Sequence, residues 1–174
     1  MKEMEQNDVK KSISNILSKL PRKMIEHKHN DVITECLLYE LSHEICFHLS
    51  SIAYFVYNPD FHICKGVAGI LEADIKDWCK DPWHDIETFE KTIKNKDYNK
   101  KIKSTEFCTL FAKSNLDIVN EIKKSIEIND INYYCWNLHN NNIGILVYKE
   151  KNSNPIEKEH IEDAAGIIGF CPIH

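Results

Sequence analysis

No apolar run in the 174-residue sequence approaches the roughly 20 residues that a helix needs to cross a bilayer, so no membrane-spanning helix is expected. The N-terminal stretch MKEMEQNDVKKSISN is charged and polar where a signal peptide would carry its apolar centre, and no secretory leader is expected. The seven cysteines (Cys36, Cys46, Cys64, Cys79, Cys108, Cys135 and Cys171) are an odd number with no close CxxC pair. That fits a reducing, cytoplasmic location better than a disulfide framework. Glycine-rich phosphate loops, internal repeats and low-complexity tracts are all missing. So is any strong basic excess: the net charge of −5 disfavours generic nucleic-acid binding. Serine, histidine and aspartate cannot be joined into a catalytic set without arbitrary choices, so the reading leans away from an enzyme and names no catalytic residue.

What is present is an ordinary globular balance, 43% apolar and 28% charged, in a chain of single-domain length. Val9, Ile13, Ile16, Leu17, Leu20 and Met24 recur at steps of three and four, which predicts an amphipathic helix over 7–24 that Pro21 kinks or ends. Its stripe serves either packing on the domain or a dimer seam. Ile33, Leu37, Leu41, Ile45 and Leu49 extend a second helical pattern over 31–51, capped by Asn30 or Asp31. IAYFVYN and FHICKGVAG flank the turn Asn58-Pro59-Asp60 and predict a hairpin.

Residues 71–103 read as an insert of one or two short helices, broken at Asp81-Pro82 and lying across the sheet. STEFCTLFAKS is a predicted strand, and Leu116, Val119, Ile122 and Ile126 share the face of a further helix. INYYCWNL and IGILVYKE form a closing hairpin whose turn, Asn140-Asn141-Asn142, tolerates left-handed backbone. Asn154 as cap, Pro155 and Glu157 predict the start of the last helix. The expected fold is α+β: a central antiparallel sheet of about five to six strands, with N- and C-terminal helices on one face and a helical lid on the other.

This order resembles a GAF domain, a small ligand-binding and signalling module related in architecture to the PAS domain. The likeness is strongest over NNNIGILVYKEKNSNPIEKEHIEDAAGII, residues 140–168, and continues more weakly through AYFVYNPDF and CKGVAG within 31–69. Residues 70–115 depart from the family pattern. The resemblance divides the chain into an N-terminal amphipathic helix (1–30) and a GAF-like domain (31–174) with a helical insert at 71–103. It implies that the first and last helices lie together on the sheet face away from a ligand pocket and form a dimer or partner interface. Ile161, Ala164, Ile168 and the 33-37-41-45 stripe are then the contact candidates. The residue set of cyclic-nucleotide-binding members is not legible here. The cysteine–histidine pair of bilin-binding members and the cysteine pattern of the free methionine sulfoxide reductases are missing as well.

On this basis the chain is expected to be a stand-alone regulatory domain that binds a small ligand between sheet and insert, and signals as a homodimer or to a protein partner. The pocket candidates are Ile75, Trp78, Trp83, His84, Phe89, Phe107 and Tyr133. The alternatives are a ligand-free interaction module and a cysteine-based redox sensor or enzyme using Cys79, whose neighbours Lys76 and Lys80 would lower its pKa. His84 among Trp78, Trp83 and Phe89 also suits a haem, but tryptophans beside a proline turn more often pack a lid, and no cofactor is named. His43-Glu44 with His48 misses the metalloprotease spacing: a step of five turns the two imidazoles about 140° apart on a helix. Cys79/His84 and Cys171/His174 are chelating steps remote from each other, and no metal site is expected. The lysines at 91, 94, 96, 100, 101 and 103 form a charge block whose default is a solvated face, with an anion-binding lid as the sharper reading.

Overall fold

The computed structural model describes residues 2–75, 81–110, 112, 114–151 and 155–172, with side chains from Val9 onward and Ile75 excepted. Strand β1 (Leu49–Asn58) lies at the centre of a five-stranded antiparallel sheet. It pairs with β2 (Ile63–Leu71) on one side and β5 (Ile143–Glu150) on the other. β3 (Glu106–Cys108) and β4 (Asn132–Asn137) are the outer strands, in the order β3-β2-β1-β5-β4. Because side chains alternate across a strand, β1 feeds two cores: Ile52, Tyr54 and Val56 enter one, Ala53, Phe55 and Tyr57 the other.

The first core is covered by α1 (Lys2–Glu26), α2 (Ile33–Ser42) and α7 (Lys158–Ile168). The second is covered by α5 (Asp97–Ser104) and α6 (Asn115–Ile126), which bring Ile102, Ile118, Val119 and Ile122 onto the sheet. The α+β architecture with terminal helices on one face is therefore as the sequence pattern predicts. The insert is divided between the two layers. After the short α3 (Glu72–Ile75), Trp83 and α4 (Ile86–Ile93), through Phe89 and Ile93, join the terminal-helix core, while α5 crosses to the opposite face.

Several boundaries differ from the periodic reading. α1 runs on through Pro21, which is exposed, while Leu20 and Met24 on the buried stripe continue the packing past it. α2 ends at Ser42 instead of continuing to residue 51. Cys46 N–H and His48 N–H both donate to the His43 carbonyl, and His48 adopts φ 50°. This tight turn leaves Ile45 exposed and hands Leu49 to β1. α7 starts at Lys158, after extended backbone at Glu157, and Asn154 lies outside the described residues. The turn expectations stand: Asn140 and Asn141 have φ 59° and 61°, and Phe61 N–H donates to Asn58 Oδ1 at 3.1 Å. At α6, Ser114 and Asp117 form a reciprocal capping box.

β3 pairs only with residues 63–65 of β2, so the rest of that edge needs other partners. α5 supplies them. Gly66 N–H donates to the Thr105 carbonyl at 2.8 Å and Gly69 N–H to Asn99 Oδ1 at 3.0 Å. A Cβ at Gly66 would run into the Ile102 carbonyl, so glycine sets how closely α5 approaches. Asn99 Nδ2 donates onward to Glu35 Oε1 at 3.4 Å, and Lys103 Nζ donates to the same oxygen at 2.8 Å. Glu35, 1% exposed, thus ties α2 to α5 around the sheet edge.

Candidate functional site

The α1 stripe of Ile13, Leu17, Leu20 and Met24 buries against Ile161, Ala164 and Ile168 of α7. Lys10 to Glu157 (2.6 Å) and Ser14 Oγ to His160 Nε2 (3.5 Å) run along the same seam. These residues, with Ile33, Leu37 and Leu41, are consumed inside the domain, so the predicted contact stripes face the core and not a partner except at the exposed Ile45. The outward surface is the next row round each helix. On α1 and the turn after it, Pro21, Ile25 and Lys28 follow at steps of four and three; on α7 and just beyond, Asp163, Gly166 and Phe170 do the same.

Between the two rows runs a groove of about 700 Å³, within the size range of ligand and peptide sites. Met24, Ile33 and Ile167 contribute further apolar lining, and Pro172 lies at the α7 end. Ile25 is 69% exposed and Phe170 79%, unusual for large apolar side chains lining one groove. Among the described residues three charges line the groove: Glu162, Asp163 and Lys28. Glu162 also meets Lys158 at 3.2 Å on the surface. Among the described residues the lining offers no thiol, hydroxyl or imidazole, and its chemistry is apolar contact plus carboxylate and ammonium pairing.

The expected pocket residues that the structure describes are divided between the two cores and the surface, with Trp83 and Phe89 in the same core. Trp83 is buried in the helical layer, its ring 5.8 Å from that of His27 and 5.8 Å from Lys23 Nζ. Phe89 lies in the same core, edge-on to Tyr39 at 5.7 Å. Phe107 packs against the opposite core, and Tyr133 is exposed on β4, on the same side as Cys135. His84 is exposed. Trp78, Cys79 and the side chain of Ile75 lie outside the described residues. The lysine block is partly neutralised by ion pairs, Lys94 with Glu90, Lys101 with Glu127 (2.6 Å) and Lys103 with Glu35 (2.8 Å).

A second feature sits beneath α7. Trp136 lies across Gly144 of the neighbouring strand, where a Cβ would come within 2.6 Å of the indole, and stacks on Tyr54 at 5.6 Å and 14°. The Tyr54 hydroxyl and the Trp136 indole N–H are buried without hydrogen-bond partners among the described residues. Burial, and secondarily the nearby Cys171, raises the Tyr54 hydroxyl pKa. Burial likewise pushes the Cys46 and Cys64 thiols up to about 12 and that of Cys171 to about 11, which makes them poor nucleophiles.

Among the described residues no group of three His, Cys, Asp or Glu side chains could hold a metal ion. No described helix is long and apolar enough to cross a membrane. The groove residues were missed from the sequence; the only signal was that Ile25 and Phe170 are large apolar residues falling off the buried stripes. Compared with known proteins, the chain matches no family model, no curated protein and no solved structure.

Proposed function

We propose that the chain is a non-catalytic regulatory module of GAF-like architecture that acts by protein contact through its α1–α7 face. The observation that carries this reading is the open apolar groove, with Ile25 and Phe170 standing exposed on its two walls. Apolar patches of this kind on an otherwise charged surface mark interaction sites. Terminal helices that share one face of the sheet are what the resemblance in the sequence implies, and the groove lies on the layer where such a module would transmit its signal. Occupancy of the groove bears on α7, and α7 rests on Trp136 and Tyr54, so the hairpin beneath would respond to a partner through direct packing.

A second reading, a small-ligand sensor, is favoured by one observation: the unpartnered Tyr54 hydroxyl and Trp136 N–H, which a small polar molecule between α7 and the sheet would satisfy. Native mass spectrometry of the gently purified protein tests both. Protein contact predicts a protein complex, lost in Phe170→Asp, and no small-molecule mass excess. A reproducible mass excess that persists in Phe170→Asp would overturn the contact reading in favour of the sensor.

A further inference from the structure

We propose that the α1–α7 groove receives an amphipathic helix of a partner protein whose polar flank is basic; the inference rests on the protein-contact reading and specifies the partner. The walls are the flanks of two α-helices, whose backbone N–H and C=O groups are already paired within each helix. An extended segment laid there would find no ladder to join, and its own backbone polar groups would lose water without compensation. A helix satisfies its backbone internally and presents apolar side chains at i, i+3, i+4 and i+7, which is what an apolar trough between two helices accepts. Gly166 supplies the opening, since a Cβ built there meets nothing within 4 Å and a partner side chain can descend to the α7 backbone.

Charge selects the flank. Among the described residues the lining carries two carboxylates, Glu162 and Asp163, against one ammonium, Lys28. Asp163 has no ion-pair partner among the described residues. A second copy of the chain is the poorer occupant. A two-fold pairing of grooves would gather four carboxylates and two ammoniums in one interface and join two chains of net charge −5 each. A helix with lysine or arginine beside its apolar stripe instead faces the acidic wall with opposite charge.

The test uses the full chain and two designed, fluorescein-labelled helices of about 18 residues, long enough to fold. Both carry the same leucine stripe, one with a lysine flank and one with a glutamate flank, and binding is read by fluorescence anisotropy at about 0.15 M salt. The lysine helix is expected to bind at least about tenfold tighter than the glutamate helix. Gly166→Leu, which fills the opening at an exposed helical position, is expected to weaken the lysine helix about tenfold or more with a melting temperature no lower than that of the parent. Glu162→Gln with Asp163→Asn is expected to shrink the preference between the two helices to below about threefold. As a control, Glu121→Gln on α6 leaves lysine-helix binding unchanged.

Equal affinity for the two helices would overturn the proposal, as would indifference to Gly166→Leu or an equal loss in Glu121→Gln. A chain dimer that Gly166→Leu dissolves would overturn it in favour of a second copy, while sparing the broader protein-contact reading. Were Gly166→Leu to alter neither peptide binding nor association, that reading would fall too.

Discussion

Lys103→Met is expected to destabilise the fold far more than Glu35→Gln, although both break the same ion pair. The Glu35 carboxylate is 1% exposed and accepts from Lys103 Nζ at 2.8 Å and Asn99 Nδ2 at 3.4 Å, whereas the Lys103 side chain is 44% exposed. Removing the lysine leaves a buried charge with one long hydrogen bond, and leaving such a group unpaired costs about 3 kcal/mol. Removing the glutamate's charge leaves Lys103 free to turn into water and keeps an amide oxygen for Asn99, at a cost of about 1 kcal/mol. The double variant should cost less than the sum of the singles, because no buried charge is left behind. Urea unfolding reads the difference directly. With a slope of about 2 kcal/mol/M, Lys103→Met lowers the midpoint by about 1.5 M and Glu35→Gln by about 0.5 M. Equal midpoints for the two single variants would refute the reasoning, since Glu35 would then not be holding a charge in the core.

Tyr54→Phe should be neutral or stabilising by up to about 1 kcal/mol in the same urea assay, because the hydroxyl it removes is buried without a partner; a loss above that would favour a bound molecule there. Gly144→Val should push Trp136 off the β5 backbone at a cost of about 1–3 kcal/mol, with a red shift in tryptophan emission. In native thiol labelling, exposed Cys108 should react before buried Cys46, Cys64 and Cys171. Burial, aided by Glu40 at Cys46 and by Cys135 at Cys64, raises both thiols from an ordinary 9.0 to about 12. The folded state therefore holds their protons longer than the unfolded chain does. Their contribution to stability is complete below pH 9.0 and is lost as pH rises from 9.0 toward 12, which the melting temperature across that range will report.

Local chemistry carried most of the fold. The hairpin turns are legible because Asn58, Asn140 and Asn141 do in the structure what asparagine side chains and left-handed backbone allow. The Ser114–Asp117 capping box that starts α6 is an equally local bond pattern, closing within four residues, which the sequence reading passed over. Periodicity misled where it crossed an element boundary. Ile45 and Leu49 continue the spacing of α2, yet one lies in a turn and the other opens β1, and spacing alone cannot separate those cases. The division of the insert was hidden because Trp83 and Phe89 on one side and Ile102 on the other are sorted by the sheet edge between them, a tertiary feature. The groove was illegible for a similar reason. Whether Ile25 and Phe170 are buried depends on how α1 meets α7, and only their common exposure reveals a surface.

The most direct test of the protein-contact reading is photo-crosslinking in the cell from p-benzoylphenylalanine placed at Phe170, with the same probe at exposed Leu116 on α6 as reference. The account predicts one dominant protein adduct from position 170, absent from 116 and suppressed by Gly166→Leu. Equal, diffuse adducts from both positions, or a position-170 adduct indifferent to Gly166→Leu, would contradict it.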